Sequence, residues 1–266
     1  MSDTELKKQV ESYWDHEPCG TTHSAGVRFS RDYFDAIENY RYTVEPEIFS
    51  FAQFSRFHGK KVLEVGVGAG TDFLQWIRSG ANGFGIDLTH NGIVHTRERL
   101  NVYGFDANRL MVADAETLPF QDGSFDLVYS WGVIHHSPDT VRALTEIIRV
   151  TRPGGGCKIM VYNRHSLWTF FLWGKMAFLK GRPWKSLAWS LYHYQESPGT
   201  KAYTAKELAT MVASIPGVKF KINSWITVYD SLDLVRSKRL RALGRLMAKI
   251  LGDKFGWYMT VDISKS

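Results

Sequence analysis

Hydrophobic and polar positions follow two regimes along the chain. Up to about residue 58, apolar residues recur at helical spacing. Leu6, Val10, Tyr13 and Trp14 sit at i, i+4, i+7 and i+8 and predict a helix over residues 4–14. After a break at Pro18-Cys19-Gly20, Tyr33, Phe34, Ile37 and Tyr40 predict a second helix, with Ser30 as N-cap. A third is predicted over 47–57, after Pro46. From Lys60 short apolar runs alternate with helical stretches. Strands are predicted at 61–65, 83–88, 110–113, 125–130 and 157–162, and helices at 71–79, 93–103 and 139–150. This βαβ rhythm predicts a parallel sheet with right-handed crossovers. Residues 167–194 predict amphipathic helices broken at Gly181-Arg182-Pro183. Then come a helix at 204–214, a strand at 218–229, a helix at 232–251 and a last strand at 257–263.

The first strand runs into a glycine-rich turn, Glu64-Val65-Gly66-Val67-Gly68-Ala69-Gly70-Thr71-Asp72. Alternating glycines let the backbone turn sharply and lie close to a ligand. A dinucleotide fingerprint needs its third glycine where this chain has Thr71, so the spacing leans towards an adenosine ligand without pyrophosphate. Asp87 ends the second strand, where an acid in such sheets accepts from ribose hydroxyls; a helix-capping role is the plainer alternative. Asp114, after the third strand, stands at the carboxyl edge of the sheet, where it can accept from an adenine amino group or merely close a turn. Along the fourth strand, Ser130, Trp131 and Gly132 are expected beside the ligand. His135 or His136 is expected to face an acceptor, where a histidine near its ordinary pKa can take a proton. Either histidine could instead only cap a helix.

These motifs, in this order across roughly 60–163, resemble the class I S-adenosylmethionine-dependent methyltransferases. The chain is similar to the type 11 group that includes the ubiquinone and menaquinone C-methyltransferases. The resemblance is carried by 62–72, Gly85-Ile86-Asp87-Leu88, Ala113-Asp114-Ala115-Glu116, Ser124-Phe125-Asp126-Leu127-Val128, His135-His136 and Arg152-Pro153-Gly154-Gly155-Gly156. It implies a doubly wound seven-stranded α/β sheet in the order 3-2-1-4-5-7-6, with strand 7 antiparallel. It also implies a cofactor, S-adenosyl-L-methionine. On this resemblance Gly66, Gly68 and Gly70 line its methionine part, Asp87 binds the ribose, Leu88 packs on adenine, Asp114 and Ala115 hold the adenine edge, and Ser130 and Trp131 sit near the sulfonium. Glu64, Val67, Thr71, Asp72, Glu116 and Gly132 are further expected cofactor contacts. The group often has Cys after the first loop glycine, where this chain has Val67. The resemblance does not extend well over 1–58 or 164–200. The expected organisation is therefore an N-terminal helical lid (1–58) on a Rossmann-like methyltransferase domain (59–266), with a helical cap inserted at 164–200.

The expected reaction is methyl transfer by in-line displacement to a small, apolar or amphipathic acceptor. His136 and His135 are the candidate bases, and Tyr13, Trp14, Tyr33, Arg41, Tyr162 and Trp168 the candidate acceptor contacts. Lid aromatics can equally be ordinary packing. A nucleic-acid methyltransferase and a non-catalytic cofactor-binding scaffold are the alternatives. Against nucleic acid stand the lack of an appended binding module and of a base-flipping motif after strand four.

Composition adds limits. With 266 residues, 44% hydrophobic and 23% charged, the chain reads as globular rather than disordered. Cys19 and Cys157 stand far apart, which suits a reducing compartment and offers no metal-ligand spacing; no metal is expected. The N-terminus lacks an apolar leader core, and no apolar run reaches about 18 residues. A cytoplasmic protein is expected. The charge is uneven: up to Glu146 there are 13 Lys and Arg against 21 Asp and Glu, and from Ile147 onward 20 against 6. No acidic residue falls between Ile147 and Gln195. Aromatic residues interleave with cations over 167–194. This suits a peripheral membrane contact, with Trp168, Phe171 and Trp173 as candidate anchors, and equally an ordinary cap or a dimer face.

Overall fold

The computed structural model describes residues 2–16 and 18–266. Seven strands form one sheet in the order β3-β2-β1-β4-β5-β7-β6. They are β1 (Lys61–Val65), β2 (Asn82–Asp87), β3 (Leu110–Val112), β4 (Phe125–Trp131), β5 (Thr151–Tyr162), β6 (Val218–Trp225) and β7 (Tyr258–Lys265). The first five pair in parallel; β7 runs antiparallel between β5 and β6. The expected order is thus the observed one. Central strands read as continuous apolar runs because both faces are covered. Leu63, Val65, Val128, Ile159 and Val261 face one core, with Ile147 and Leu208. Val62, Leu127, Tyr129 and Met160 face the other, with Trp76 and Trp257.

The helices are α1 (Asp3–His16), α2 (Arg31–Val44), α3 (Glu47–Ala52), α4 (Thr71–Arg78), α5 (His90–Val102), α6 (Thr140–Val150), α7 (Leu167–Met176), α8 (Leu187–Tyr194), α9 (Ala205–Ala213) and α10 (Lys238–Leu251). Ser30 caps α2 as expected, accepting from the Tyr33 amide. Four boundaries differ from the pattern reading. The helix expected over 47–57 stops at Gln53, whose φ of 57° ends α3; a 3-10 turn follows. α5 starts at His90, because the Thr89 hydroxyl accepts from the Gly92 amide. β5 starts at Thr151 rather than at 157, and its register jumps from Phe125–Thr151 to Leu127–Gly156, so the residues between form a bulge within the strand.

The fourth difference bears on the site. β6 ends at Trp225 and α10 begins only at Lys238. Between them the carboxylate of Asp230, 1% exposed, accepts from the Thr227 amide and hydroxyl, the Trp257 amide and the Trp168 amide. A buried aspartate with four donors fixes a turn that neither helix nor strand periodicity reveals. That turn supports the N-terminus of α7 on one side. On the other it supports the middle of α10, where a Cβ on Gly244 would lie 2.5 Å from the Ser231 carbonyl oxygen.

Candidate active site

An open cavity of about 300 Å³ lies over the carboxyl ends of β1, β2 and β4. Ligands of such sheets bind at this edge. One end is lined by the glycine turn, Asp87, Leu88, Asp114 and Ala115; the other by His136, Tyr162, Glu196 and Tyr229. Trp131, Gly132 and Met160 form the floor between them. Lys7, Val10 and Trp14 of α1, and Cys19 and Arg41 from the segments that follow, form the roof.

At the first end Gly66 has φ 84°, and a Cβ there would lie 2.3 Å from Val133. Gly68 has φ 50° and nothing within 4 Å of its would-be Cβ, so its backbone is open to the cavity. Gly70 is different: it turns the chain into α4 against Thr96 and does not line the cavity. Asp87 Oδ2 accepts from the Gly68 amide (2.8 Å), and Oδ1 from the Thr89 amide and hydroxyl. Burial outweighs these bonds and raises its pKa above the usual aspartate value. The capping and ligand readings of Asp87 are thus compatible, since a carboxylate has about four acceptor sites.

Asp114 Oδ1 accepts from the Glu116 amide, and Oδ2 from Lys7 Nζ at 2.6 Å. Lys7 also meets Glu116 Oε2 at 2.6 Å. Burial works against the lysine charge, but the two carboxylates prevail and raise its pKa. Glu116 does not line the cavity. Its carboxylate ties Lys7 to Ser137 and to the Asp139 amide. Asp72 and Arg41, expected to face cofactor and acceptor separately, hold each other in the wall. Arg41 Nε and Nη2 donate to the two Asp72 oxygens at 3.0 and 2.8 Å, and the Tyr42 and Tyr129 hydroxyls donate to the same carboxylate. Glu64 beside them is 3% exposed, and burial, with Asp72 adding to it, pushes its pKa far up. Its Oε2 and the indole N–H of Trp131 are buried and have no hydrogen-bond partner. Ser130 Oγ is likewise buried and unpaired, but lies outside the cavity lining.

At the second end His136 is gripped by a segment distant in sequence. Its Nδ1 lies 2.8 Å from Ser197 Oγ and 3.2 Å from Thr200 Oγ1. The Thr200 hydroxyl donates to the Ser197 carbonyl. The Ser197 hydroxyl can accept from Nδ1–H, leaving the lone pair on Nε2, or donate to Nδ1, leaving the proton on Nε2. Nε2 is buried, without a hydrogen-bond partner, and 3.5 Å from Glu196 Oε2. The Tyr162 hydroxyl donates to the Glu196 carboxylate at 2.9 Å. Glu196 adopts φ 49°, a left-handed conformation that costs a non-glycine residue roughly 1 kcal/mol or more. Trp14 of α1 meets the His136 ring edge-on at 5.3 Å.

His135 lies behind this wall, fully buried, with both ring nitrogens unpaired. Burial, aided by His136 and Lys201, depresses its pKa well below the usual histidine value and keeps it neutral. Ligand atoms of His135, His136 and Glu196 all lie within 4.8 Å of one another. Of the other expected acceptor contacts, Trp14, Arg41 and Tyr162 line the cavity. Tyr33 packs instead with Phe34 and His95 under α2, and Tyr13 is half exposed against Trp14. Trp168 supports the wall from behind, donating to Gln195 and packing on Tyr229. Lys7, Glu196, Ser197, Thr200 and Tyr229 went unread in the sequence. Glu196 alone carried a signal, as the first acidic residue after the acid-free stretch from 147.

This sheet order and this edge cavity define the class I methyltransferase fold. Residues 63–159 match the family model of a methyltransferase domain. Over 99 residues the chain is 43% identical to phthiotriol/phenolphthiotriol dimycocerosates methyltransferase 1 of Mycobacterium ulcerans, covering 36% of this chain and 35% of that protein. It is 40% identical to a fatty-acid O-methyltransferase of Mycolicibacterium smegmatis over 99 residues, 36% of this chain and 35% of the relative. The match thus spans about a third of these relatives' length. Geranyl diphosphate C-methyltransferase from Streptomyces coelicolor, solved with Mg2+, geranyl diphosphate and S-adenosyl-L-homocysteine, superposes with a TM-score of 0.66 at 13% identity over 98% of both chains. The sheet is that of the class I methyltransferases, and the match to the methyltransferase-domain model covers a little over a third of the chain, residues 63–159.

Proposed function

We propose that the chain is an S-adenosylmethionine-dependent methyltransferase acting on a small apolar or amphipathic acceptor. The observation that carries this reading is the continuity of one cavity. It runs from the Gly66–Gly68 cradle and Asp87 to the unpaired Nε2 of His136. The cofactor fits the residues present: open backbone at Gly68, orphaned polar atoms on Glu64 and Trp131, and carboxylates spaced along the strand ends. S-adenosylmethionine supplies, when bound, a methyl carbon already activated by its sulfonium.

The chain's own contribution is to position and to accept a proton. Asp87, held by its three donors, presents its remaining lone pair to a ribose hydroxyl. Asp114 does so at the adenine end while bearing Lys7. Trp131 and Gly132 hold the middle of the cavity. Tyr162, Tyr229 and Trp14 surround the acceptor end and exclude water, which favours an acceptor with apolar surface. In the tautomer protonated at Nδ1, His136 Nε2 takes the proton of a hydroxyl acceptor, and the Glu196 carboxylate stabilises the imidazolium that results. His135 acts only by position, packing between His136 and Tyr162. The names of the relatives, a fatty-acid and a phthiotriol enzyme, support a lipid-like acceptor. Peripheral contact of the cap with a lipid surface belongs to the same reading.

The test is turnover with labelled S-adenosylmethionine against long-chain fatty acids, long-chain alcohols and isoprenoid quinols, read by mass spectrometry. A methylated lipid-like product supports the reading. Labelled donor that binds but never turns over, with these or with a cell lipid extract, would favour the scaffold alternative. Methylation of tRNA alone would favour the nucleic-acid one.

A further inference from the structure

The cap and α10 expose apolar side chains that none of the described residues covers. The turn between α7 and α8 carries Leu179 at 78% exposure, Trp184 at 74% and Phe178 at 55%. On α10, Ile250 is 66%, Leu246 54% and Leu243 52% exposed. α10 is not an ordinary surface helix. Its buried contact is made by the small residues Gly244 and Ala248, while its larger aliphatic residues at 243, 246 and 250 point away from the protein. Single exposed apolar residues need no explanation, but a cluster of large ones does.

The two elements lie on one side of the molecule. α10 packs on α7, and both rest on the Asp230 turn, through Gly244 and the Trp168 amide respectively. The same turn places Tyr229 in the acceptor end of the cavity. The aromatic residues first expected to anchor the cap are not the outermost ones. Trp168 donates to Gln195, Phe171 packs on Trp168, and the Trp173 indole donates to the Lys185 carbonyl.

Cations flank the apolar cluster. Lys175, Lys180 and Arg182 stand on the cap, and Lys238, Arg239 and Lys249 on α10, all exposed. Through α7 and α8 no acidic residue opposes them. Apolar side chains that reach outward among unopposed cations match the boundary of an anionic bilayer, where the chains enter the acyl region and the cations meet headgroups. No helix among the described residues is long and apolar enough to cross a membrane.

We propose that the α7–α8 turn and α10 together dock the protein on an anionic phospholipid surface, with the acceptor end of the cavity beside the contact. This deepens the lipid-acceptor reading, but its test needs no turnover, so either can fail alone. The full chain is floated with vesicles of phosphatidylcholine and phosphatidylglycerol (7:3) and with phosphatidylcholine alone. Two variants are compared with it: Phe178→Ser/Leu179→Ser/Trp184→Ser and Leu243→Ser/Leu246→Ser/Ile250→Ser. All six positions are exposed, so both variants keep the fold, verified by unchanged S-adenosylhomocysteine binding.

The expected result is binding to the anionic vesicles that weakens with salt and on neutral vesicles, and falls about tenfold in each variant. Wild type that binds neither vesicle overturns the proposal. So does equal vesicle binding by wild type and both variants. A third overturning result is a concentration-dependent dimer, abolished by the α10 variant, in a protein that ignores vesicles. Binding to tRNA with a steep salt dependence, without vesicle binding, overturns it as well.

Discussion

The two ends of the cavity are built in opposite ways. The donor end comes from consecutive strand-to-helix turns: Gly66 and Gly68 after β1, Asp87 after β2, Asp114 after β3 and Trp131 at the end of β4. Asp87 is fixed there by two of these turns, through Gly68 and Thr89, and Asp114 by the Glu116 amide and by Lys7 of α1. The acceptor end is assembled from segments that meet only in the folded chain. His136 follows β4, Ser197 and Thr200 precede α9, Tyr229 precedes α10, and Trp14 comes from α1. A donor cradle made of local turns can stay constant while distant helices change. An acceptor site made by those helices can be rebuilt without disturbing the cradle.

The sharpest separation of the two ends comes from single substitutions with two readouts. Asp87→Asn sets an amide against the Gly68 and Thr89 N–H groups and removes the charge offered to ribose. Binding of S-adenosylhomocysteine, measured by calorimetry, is expected to weaken by about 10- to 150-fold, from the roughly 1.5–3 kcal/mol of a charged hydrogen bond. His136→Gln is expected to lower kcat about 100-fold on a hydroxyl acceptor while that binding changes less than about twofold. An unchanged kcat would mean that the acceptor needs no base, as for a thiol or a neutral amine. Glu196→Gln is expected to cost about tenfold in kcat, with the same silence at the donor end. If it weakens cofactor binding equally, the two ends are not independent.

A smaller effect tests the wall between them. The folded pKa of His135 lies below its unfolded value, so the unfolded chain binds a proton that the folded chain refuses. Its contribution is fully present above the unfolded value of about 6.5 and is lost as pH falls from there towards the depressed folded value. Thermal unfolding between pH 8 and 5 should show this decline, and His135→Phe should flatten it. An identical pH slope in both proteins would mean that His135 is protonated in place.

The same contrast explains what the sequence could reveal. Gly66, Asp87 and Asp114 are legible because spacing along one strand-turn-helix unit determines where they stand. A parallel sheet was legible from the βαβ alternation, while its strand order came from the resemblance to the class I methyltransferases. Glu196 was not legible: its role comes from a left-handed backbone and the Tyr162 hydroxyl, neither of which leaves a pattern in the chain. The Asp230 turn misled in the other direction. Apolar residues at 226, 228, 229, 232 and 235 continue both the strand and the helix pattern, while one buried carboxylate interrupts them. Tyr33 was a candidate only for its ring chemistry, and α2 turns it towards His95 instead.

The Lys7 pair with Asp114 and Glu116 has a kinetic meaning. α1 is tied across the donor end through this lysine and at its far end through Asp15 on the Asn91 amide. Spent donor bound beneath this helix would leave faster once the tie is cut, and that step caps steady-state turnover wherever product release is slow. Lys7→Met cuts this tie alone. In stopped-flow measurements it should speed release of S-adenosylhomocysteine by about two- to fivefold, the scale of a half-exposed ion pair, and leave acceptor release untouched.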